Sequence, residues 1–288
     1  MGFSSLPNGH LHSPLQQEVE VDFFGKTALI TGASRGIGRA IAHALAGQGI
    51  SRILLVARNL QRLQVVASEV QQLGAEAIAL PLDLTDPIRV NIVIAQAWRQ
   101  YGPIHLLVNC AGVAHQVPFL QAQLSQVQSE ISTNLVGLYT VTRLVARRMA
   151  ARREGCIVNV SSLMGKVAAP TMATYSATKF AIVGFSQALR SELTPFNVRV
   201  VSLLPSLTET DMVKEFRWFR GVQPAKPEDV AQALVRGLRG RQAEILVGWQ
   251  SHAAVWTQRM SPWLVDRIID LTHPLQRNRH PPARSMRS

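Results

Sequence analysis

The chain has 288 residues, of which 47% are hydrophobic, and it carries a formal net charge of +12 at pH 7. This length suits one large α/β domain or two small ones. No segment approaches the roughly 18 uninterrupted apolar residues of a membrane span, and the start lacks the charge pattern of a signal peptide. We therefore expect a cytoplasmic protein. The two cysteines, Cys110 and Cys156, lie in apolar runs, which predicts small buried residues and no disulfide or metal site.

The basic charge could indicate a nucleic-acid or membrane partner. Arginines cluster between Arg143 and Arg153, at the end of a predicted helix, and again between Arg277 and Arg287, in a proline-rich tail. Cations at a helix end complement its dipole. Neither cluster carries interleaved aromatic residues or a recognisable base-reading motif. We therefore predict that the protein does not bind nucleic acid.

The spacing of apolar residues divides the chain into four parts. Residues 1–21 have no sustained period and predict a flexible leader. Over residues 22–248 short aliphatic runs alternate with helical patterns, which predicts an α/β fold with a doubly wound parallel sheet and helices on both faces. One long helix is predicted from about Ser125 to Ala151. About seven strands are expected: TALIT at 27, RILLVA at 52, EAIALPLDL at 76, HLLVN at 105, CIVNVSS at 156, VRVVSLLP at 198 and EILVG at 244.

The C-terminal part, residues 249–275, is predicted to be a helical appendage, followed by a disordered basic tail at 276–288. One helical stretch covers about 251–260, and a second begins with Ser261 as its cap and Pro262 at the first helical position. Trp249, Trp256 and Trp263 recur every seven residues, which places them on nearly one helix face. We favour packing of this face on the domain or on a second subunit. Peripheral contact with an anionic membrane, with tryptophan at the interface, is the alternative.

A glycine-rich turn, Thr31-Gly-Ala-Ser-Arg-Gly-Ile-Gly38, follows the first predicted strand and opens a helix. Glycines there let the backbone turn tightly and approach a pyrophosphate, whose charge then lies on the helix N-terminus. This position in a βαβ unit predicts a dinucleotide site. The residues expected to contact the cofactor in this turn are Gly32, Ser34, Arg35, Gly36, Ile37 and Gly38.

The end of the second predicted strand indicates which dinucleotide is bound. Binders of NAD usually place a carboxylate there, which accepts hydrogen bonds from the ribose and would repel a 2′-phosphate. This chain has Ala57 followed by Arg58, and Arg35 adds a second guanidinium suited to an anion with several oxygens. We therefore predict NADPH as the cofactor.

Tyr175 and Lys179 open a predicted helix four residues apart, which places the phenol and the ammonium on the same face. A neighbouring cation favours phenolate, so we expect a phenol that exchanges protons near neutral pH. Ser162 ends a buried strand at the carboxyl edge of the sheet, where sites in doubly wound folds collect. Its hydroxyl can bind a substrate oxygen.

Together these motifs resemble the short-chain dehydrogenase/reductase superfamily, in its compact single-domain branch with a Rossmann fold, over about residues 24–248. The Asn-Asn-Ala-Gly element of that family stands here as Asn109-Cys110-Ala111-Gly112, and its adenine-side aspartate is Asp83. Asn134 matches the active-site asparagine, while Ser162, Tyr175 and Lys179 match the remaining catalytic set. The Pro-Gly pair that the family usually carries after the sixth strand stands here as Pro205-Ser206. Cofactor contacts are therefore expected at Asp83, Leu84, Asn109, Ala111, Gly112, Tyr175, Lys179, Pro205, Thr208 and Thr210.

The resemblance also implies a mechanism and an assembly. Tyr175 would protonate a substrate carbonyl as the nicotinamide delivers a hydride, Lys179 would bind the nicotinamide ribose, and Ser162 would orient the carbonyl. Asn134 would hold a water that relays protons to Lys179. A homodimer or homotetramer is expected. The alternative function is a dinucleotide-binding regulator with little turnover, and the complete set of four polar residues favours the enzyme.

The substrate is expected to be apolar, because aromatic residues fall in the segment where this family carries a substrate-covering loop. These residues are Phe216, Trp218 and Phe219. Packing of the loop against the domain would explain them equally well, since aromatic side chains serve both purposes.

Overall fold

The structure, a computed structural model, describes residues 23–214, 216–217, 222–240 and 242–272. The predicted leader and tail lie outside these residues. Seven parallel strands form one sheet in the order β3-β2-β1-β4-β5-β6-β7. This confirms the predicted doubly wound sheet, whose order reverses between β1 and β4. The strands are β1 (Thr27–Thr31), β2 (Arg52–Ala57), β3 (Glu76–Pro81), β4 (Leu106–Asn109), β5 (Gly155–Val160), β6 (Val198–Leu204) and β7 (Glu244–Leu246).

Helices cover both faces of the sheet. Helices α1, α2 and α7 form one hydrophobic core with the sheet, and α3, α5 and the C-terminal half of α6 form the other. The helices are α1 (Gly36–Ala46), α2 (Leu60–Gln72), α3 (Pro87–Tyr101), α4 (Leu124–Ile131), α5 (Leu138–Arg152), α6 (Ala173–Leu193), α7 (Pro227–Arg239), α8 (Trp249–Met260) and α9 (Pro262–Thr272).

The strand register brings three chain segments together at one edge of the sheet. Thr31 at the end of β1 lies opposite Asn109 at the end of β4, and Asn109 lies opposite Asn159 of β5. The turns that follow these strands therefore begin at the same level. In open parallel sheets this carboxyl edge, at the point where strand order reverses, is where ligands bind.

The predicted long helix from about Ser125 to Ala151 is present as one continuous helical run, but its geometry is not uniform. A π-helical segment, Ser132–Gly137, separates α4 from α5. A Cβ on Gly137 would lie 2.8 Å from the Cβ of Leu84, so the glycine permits close packing against the loop after β3. Such segments shift the helical register by one residue and are frequent at functional sites. Hydrophobic spacing carries no signal for this shift.

At the C-terminus the structure contains both predicted helical stretches, and Pro262 is the first residue of α9, as expected. Trp249, Trp256 and Trp263 are 77%, 65% and 68% exposed. The tryptophans therefore do not pack on the domain, which removes one of the two packing arrangements considered above. Among the described residues, no helix combines the length and the apolar character needed to cross a membrane.

Candidate active site and cofactor cleft

A cleft of about 320 Å³ lies at the carboxyl edge of the sheet and contains most of the predicted site. It runs from the arginines beyond β2 to the start of α6. The predicted residues that line it are Gly32, Ser34, Arg35, Gly36, Ile37, Gly38, Arg58, Asp83, Leu84, Ala111, Gly112, Tyr175, Lys179 and Thr210.

Two backbone turns form the floor of the cleft. The Thr31 hydroxyl accepts hydrogen bonds from the backbone N–H groups of Cys110 and Ala111, both at 3.1 Å, which joins the ends of β1 and β4. Gly32 has φ +69°, and a Cβ there would lie 2.8 Å from the backbone of Ala111. A side chain at Gly32 would therefore collide with this turn. The bare backbone fits the close approach that a pyrophosphate requires.

Positive charge collects at the outer end of the cleft. Arg35 and Arg62 both point a guanidinium at the carboxylate of Asp211, with N···O distances of 3.5 and 3.7 Å. Lys214 also contacts this carboxylate at 2.6 Å and is the leading cause of its lowered pKa, ahead of Arg35. The arginines thus already converge on one anionic group. Guanidinium pairs of this kind suit a phosphate as well as a carboxylate.

Asp83 and Arg58 also line the cleft. Asp83 accepts hydrogen bonds from the backbone N–H and the hydroxyl of Thr85, at 2.9 and 2.8 Å. Partial burial raises the pKa of Asp83, but these bonds and the charge of Arg58 outweigh it, so the net pKa is lowered. Asp83 is therefore ionised at neutral pH with its carboxylate fixed in place.

Sequence reasoning missed two charged residues that line this end of the cleft, Arg62 and Asp211. Arg62 stands on the first turn of α2, four residues after Arg58, and its backbone N–H donates to the capping side chain of Asn59 at 2.8 Å. This spacing from Arg58 is the signal that could have identified Arg62. Asp211 directly follows Thr210, but its approach to the arginines depends on the path of the loop, which no spacing rule specifies.

The inner end of the cleft carries the tyrosine and the lysine. The Lys179 ammonium lies 5.4 Å from the ring centroid of Tyr175, as their spacing on one helix face predicts. Lys179 is 5% exposed, and its ammonium donates a hydrogen bond to the backbone carbonyl of Val160 at 3.1 Å. Ser161 fixes the same turn of α6, since its hydroxyl donates to the carbonyl of Lys179 at 2.8 Å.

Burial, rather than the neighbouring cation, controls proton affinity here. It raises the pKa of Tyr175 to about 12, against a smaller lowering by the hydrogen bond with Ser162. Burial also lowers the pKa of Lys179 to about 8. A neighbouring cation alone favours phenolate, but the pKa of Tyr175 lies above its ordinary value, so the phenol keeps its proton at neutral pH. Desolvation penalises each charged form, and it is the largest cause of both pKa shifts.

Ser162 and Asn134 lie next to the inner end without lining the cleft. The Ser162 hydroxyl hydrogen-bonds Tyr175 and accepts from the backbone N–H of Met164 at 3.1 Å. Asn134 is buried in the π-helical segment, where its side chain accepts from the N–H of Val113 at 2.8 Å and donates to the carbonyl of Val113 at 2.9 Å. It also donates to Thr178 at 3.1 Å. Asn134 thus ties the loop after β4 to the turn of α6 that carries Lys179.

Three more of the predicted cofactor residues do not line the cleft. Asn109 is buried behind the strand ends, and its side chain donates to Thr142 and Asn159, both at 2.8 Å. The Thr208 hydroxyl donates to the carbonyl of Ser206 at 2.9 Å. Pro205 is buried, and its carbonyl accepts from the N–H of Leu163 at 2.7 Å. In this conformation these residues shape the strand ends and the loop after β6.

A buried acid, Glu130, lies close to the active site and was also missed. Its carboxylate accepts from the backbone N–H of His115 at 2.6 Å and contacts the imidazole at 3.2 Å. Burial raises the pKa of Glu130 despite these bonds, and its charge contributes to the raised pKa of Tyr175. A glutamate four residues before Asn134, hence on the same helix face, is the only sequence signal.

The loop after β6 reaches across to the loop after β4. The Gln116 side chain donates to the carbonyl of Arg217 at 2.9 Å and accepts from its N–H at 2.7 Å. Phe216 is half-buried at this bridge, whereas Trp218 and Phe219 lie outside the described residues. This contact holds the loop after β6 against the loop after β4.

The doubly wound sheet, the glycine turn and the polar inner end define a dinucleotide-dependent oxidoreductase. The family model described as short chain dehydrogenase matches residues 26–220, and the chain belongs to that family.

Several relatives and solved structures are similar to the chain over most of its length. It is 33% identical to a ketoacyl reductase, HetN, of Nostoc sp., over 85% of this chain and 88% of that protein. It is 40% identical to the 2,3-dihydro-2,3-dihydroxybenzoate dehydrogenase of Bacillus subtilis, over 65% of this chain and 72% of that protein. A crystal structure of a short chain dehydrogenase from Burkholderia cenocepacia in complex with NADP superposes with a TM-score of 0.76 at 26% identity, covering 86% and 99% of the two chains.

Proposed function

We propose that this oxidoreductase uses NADPH to reduce a carbonyl group, or NADP to oxidise the matching alcohol, with Tyr175 as general acid and base. One observation carries the proposal: a single cleft connects converging arginines at its outer end with the Tyr175 and Lys179 pair at its inner end. The outer end suits a 2′-phosphate, and the inner end suits proton transfer.

The choice of NADPH is supported by charge and by similarity. Arg35, Arg58 and Arg62 line the outer end, and Ala57 leaves no carboxylate at the end of β2. Such a carboxylate would repel the phosphate. The similar Burkholderia cenocepacia structure is a complex with NADP. When bound, the cofactor supplies the hydride that reduces the carbonyl carbon.

In the proposed reaction, the carbonyl oxygen lies between the hydroxyls of Ser162 and Tyr175. Because burial keeps the phenol protonated at neutral pH, Tyr175 has a proton to donate to this oxygen as the carbon accepts the hydride. The resulting phenolate is stabilised by the nearby Lys179 ammonium and regains a proton from solvent. Asn134 positions Lys179 by fixing the neighbouring hydroxyl of Thr178.

For the substrate we propose an apolar ketone, with 3-oxoacyl thioesters as the first class to test. Similarity to a ketoacyl reductase over most of both chains supports this order. The half-buried Phe216, next to Arg217 in the loop that contacts the loop after β4, offers an apolar contact. A homodimer or homotetramer is also proposed, because Val136, Tyr139 and Phe180 leave an exposed apolar face on the π-helical segment, α5 and α6.

The test is an assay of cofactor oxidation with a panel of apolar ketones and 3-oxoacyl thioesters, run in parallel with NADPH and NADH. We expect turnover of at least one member with NADPH and far weaker binding of NADH. Tight NADPH binding without turnover of any member would favour the dinucleotide-binding regulator. Equal affinity for the two cofactors would contradict the proposed role of the arginines.

A further inference from the structure

The two C-terminal helices, α8 and α9, pack mainly against each other at the edge of the domain. The inward side of α8 is secured by Ser251 and Val255, both buried, and the Ser251 hydroxyl donates to the carbonyl of Val247 at 2.7 Å. Val265 is buried on the inward side of α9. The orientation of the helices is therefore set by these contacts, and each keeps a second side facing solvent.

The solvent-facing side of α8 is an apolar stripe. Trp249, Ala253, Trp256 and Met260 follow helical spacing and are all exposed, with Met260 at 74%. On α9, Leu264, Ile268 and Leu271 follow helical spacing and are exposed, and Trp263, directly before Leu264, is exposed as well. We call these exposed side chains of α8 and α9 the tryptophan face. Three exposed indoles on a pair of short helices amount to roughly several hundred Å² of aromatic surface, and exposed apolar surface of that size often marks an interaction site.

Positive charge accompanies the tryptophan face. Arg259 and Arg267 are exposed on α8 and α9, next to Met260 and Ile268 in the chain. From Trp249 to the end, the sequence contains six arginines and two aspartates, with no lysine or glutamate. Asp266 and Asp270 equal Arg259 and Arg267 in number, so the net positive charge of this segment comes from the four arginines of residues 273–288, which follow α9 in the sequence.

We propose that the tryptophan face docks on the surface of an anionic lipid bilayer. Indole combines an apolar ring with a polar N–H, and tryptophan is enriched where hydrocarbon meets headgroups. Each arginine near an anionic membrane surface adds attraction. A second copy of the chain would bring the same positive charge to the contact, and like charges facing each other disfavour it.

The helices lie on the bilayer and do not cross it. Helices α8 and α9 have 12 and 11 residues, about half of the roughly 20 that span a bilayer. Isolated short amphipathic helices bind lipid weakly because they must also fold on binding, but these helices are already folded on the domain. Apolar insertion and basic charge supply the two signals that stable peripheral binding requires.

The experiment is sedimentation of the full-length protein with vesicles of phosphatidylcholine alone or mixed with phosphatidylglycerol. We expect binding to the mixed vesicles at least about tenfold tighter than to neutral vesicles, weakened by added salt. Trp256→Ala with Trp263→Ala should reduce binding by at least about tenfold, because both rings insert. Arg259→Gln with Arg267→Gln should reduce binding to mixed vesicles by about fivefold per arginine and leave neutral vesicles unaffected.

A matched control is Ile88→Ala with Ile92→Ala, which removes two exposed apolar side chains from α3 and should leave vesicle binding unchanged. If the tryptophan variant misfolds, quenching of native tryptophan fluorescence by brominated lipid tests the same contact without substitution. Absence of binding and of quenching would overturn the proposal. A change in oligomeric mass of the tryptophan variant, with no vesicle binding by the native protein, would assign the face to a second copy. Both tests are independent of catalysis.

Discussion

The two ends of the cleft differ in how strongly the protein isolates them from water. At the inner end, Lys179 and Asn134 are buried and hydrogen-bonded, and Ser162 bonds Tyr175. At the outer end, the side chains of Arg35 and Arg62 are 51% and 55% exposed. Desolvation therefore sets the pKa values of the groups at the inner end. Removing one catalytic group there can lower the turnover rate by orders of magnitude. At the outer end, each arginine is screened by water and contributes only part of the selectivity between the two cofactors.

The largest expected effect is at Tyr175. Tyr175→Phe removes the proton donor while keeping the ring over Lys179, so NADPH affinity should survive and turnover should fall by at least about 10²-fold. The measurement is kcat beside a direct binding titration of NADPH. Tyr101→Phe is the matched control and should keep native turnover, because its ring packs against Arg52 at the amino end of β2, opposite the end that meets the cleft. Near-native turnover by Tyr175→Phe would show that another group supplies the proton.

The next effect concerns Arg58 and cofactor choice. Arg58→Ala should weaken NADPH binding by about 1.5 kcal/mol and leave NADH affinity nearly unchanged. This value is the lower end of the range for a hydrogen bond to a charged group, because the Arg58 side chain is exposed. Titration of both cofactors measures this difference. Arg89→Ala, at an exposed arginine on α3, should change neither affinity. An equal loss for the two cofactors would mean that Arg58 does not contact the 2′-phosphate.

Lys179 provides a stability test with a definite sign. Its pKa is about 8 in the folded protein, against an ordinary value of 10.5. Between these two pH values the unfolded chain binds more protons than the folded protein, so the free energy of unfolding rises with pH. Lys179→Met should remove this rise. Below about pH 8 the variant should melt higher than the native protein, by roughly 2 to 4 °C per kcal/mol of relieved desolvation.

Thermal melts from about pH 6 to about pH 10 would check this prediction, since the advantage of Lys179→Met should shrink as pH rises through that window. Lys214→Met serves as the control because Lys214 is exposed and its removal should give no comparable pH-dependent gain. A constant difference between Lys179→Met and the native protein at every pH would mean that burial does not depress the pKa of this lysine.

The smallest effect is expected at Asp211, whose carboxylate occupies the position between Arg35 and Arg62. Asp211→Asn removes a negative charge that competes with the phosphate, so NADPH should bind about two- to fivefold tighter, on the scale of one exposed ion pair. Glu209→Gln, at an exposed acid on the same loop, is the comparison variant. Weaker NADPH binding by Asp211→Asn would indicate that Asp211 orders the arginines instead of competing for them.

Sequence reasoning predicted what depends on local spacing. Hydrophobic periods predicted the sheet, and the conformational freedom of glycine predicted the turn. The pairing of Tyr175 with Lys179 follows because residues four apart lie on the same face of a helix. The π-helical segment at Asn134 and the contact between Arg62 and Asp211 depend on how distant segments meet. No local pattern encodes such contacts, and the exposure of the three tryptophans likewise became visible only in three dimensions.

The raised pKa of Tyr175 was hidden from the sequence for a related reason. Spacing correctly placed a cation beside the phenol, but a pKa depends on the whole surroundings of the group. The depth of burial and the charge of Glu130 are tertiary properties, and both raise the pKa of Tyr175. A sequence motif therefore identifies the participants in proton transfer more securely than it identifies their proton affinities.

The most direct test of the proposed chemistry is isotope transfer. NADPH carrying deuterium at the transferable position of the nicotinamide would be incubated with the protein and the 3-oxoacyl thioester or ketone that gives the fastest cofactor oxidation. Mass spectrometry of the product should find one deuterium on the new alcohol carbon, and Tyr175→Phe should slow its appearance by at least about 10²-fold. Cofactor oxidation without deuterium in the product, or equal transfer by Tyr175→Phe, would contradict the account.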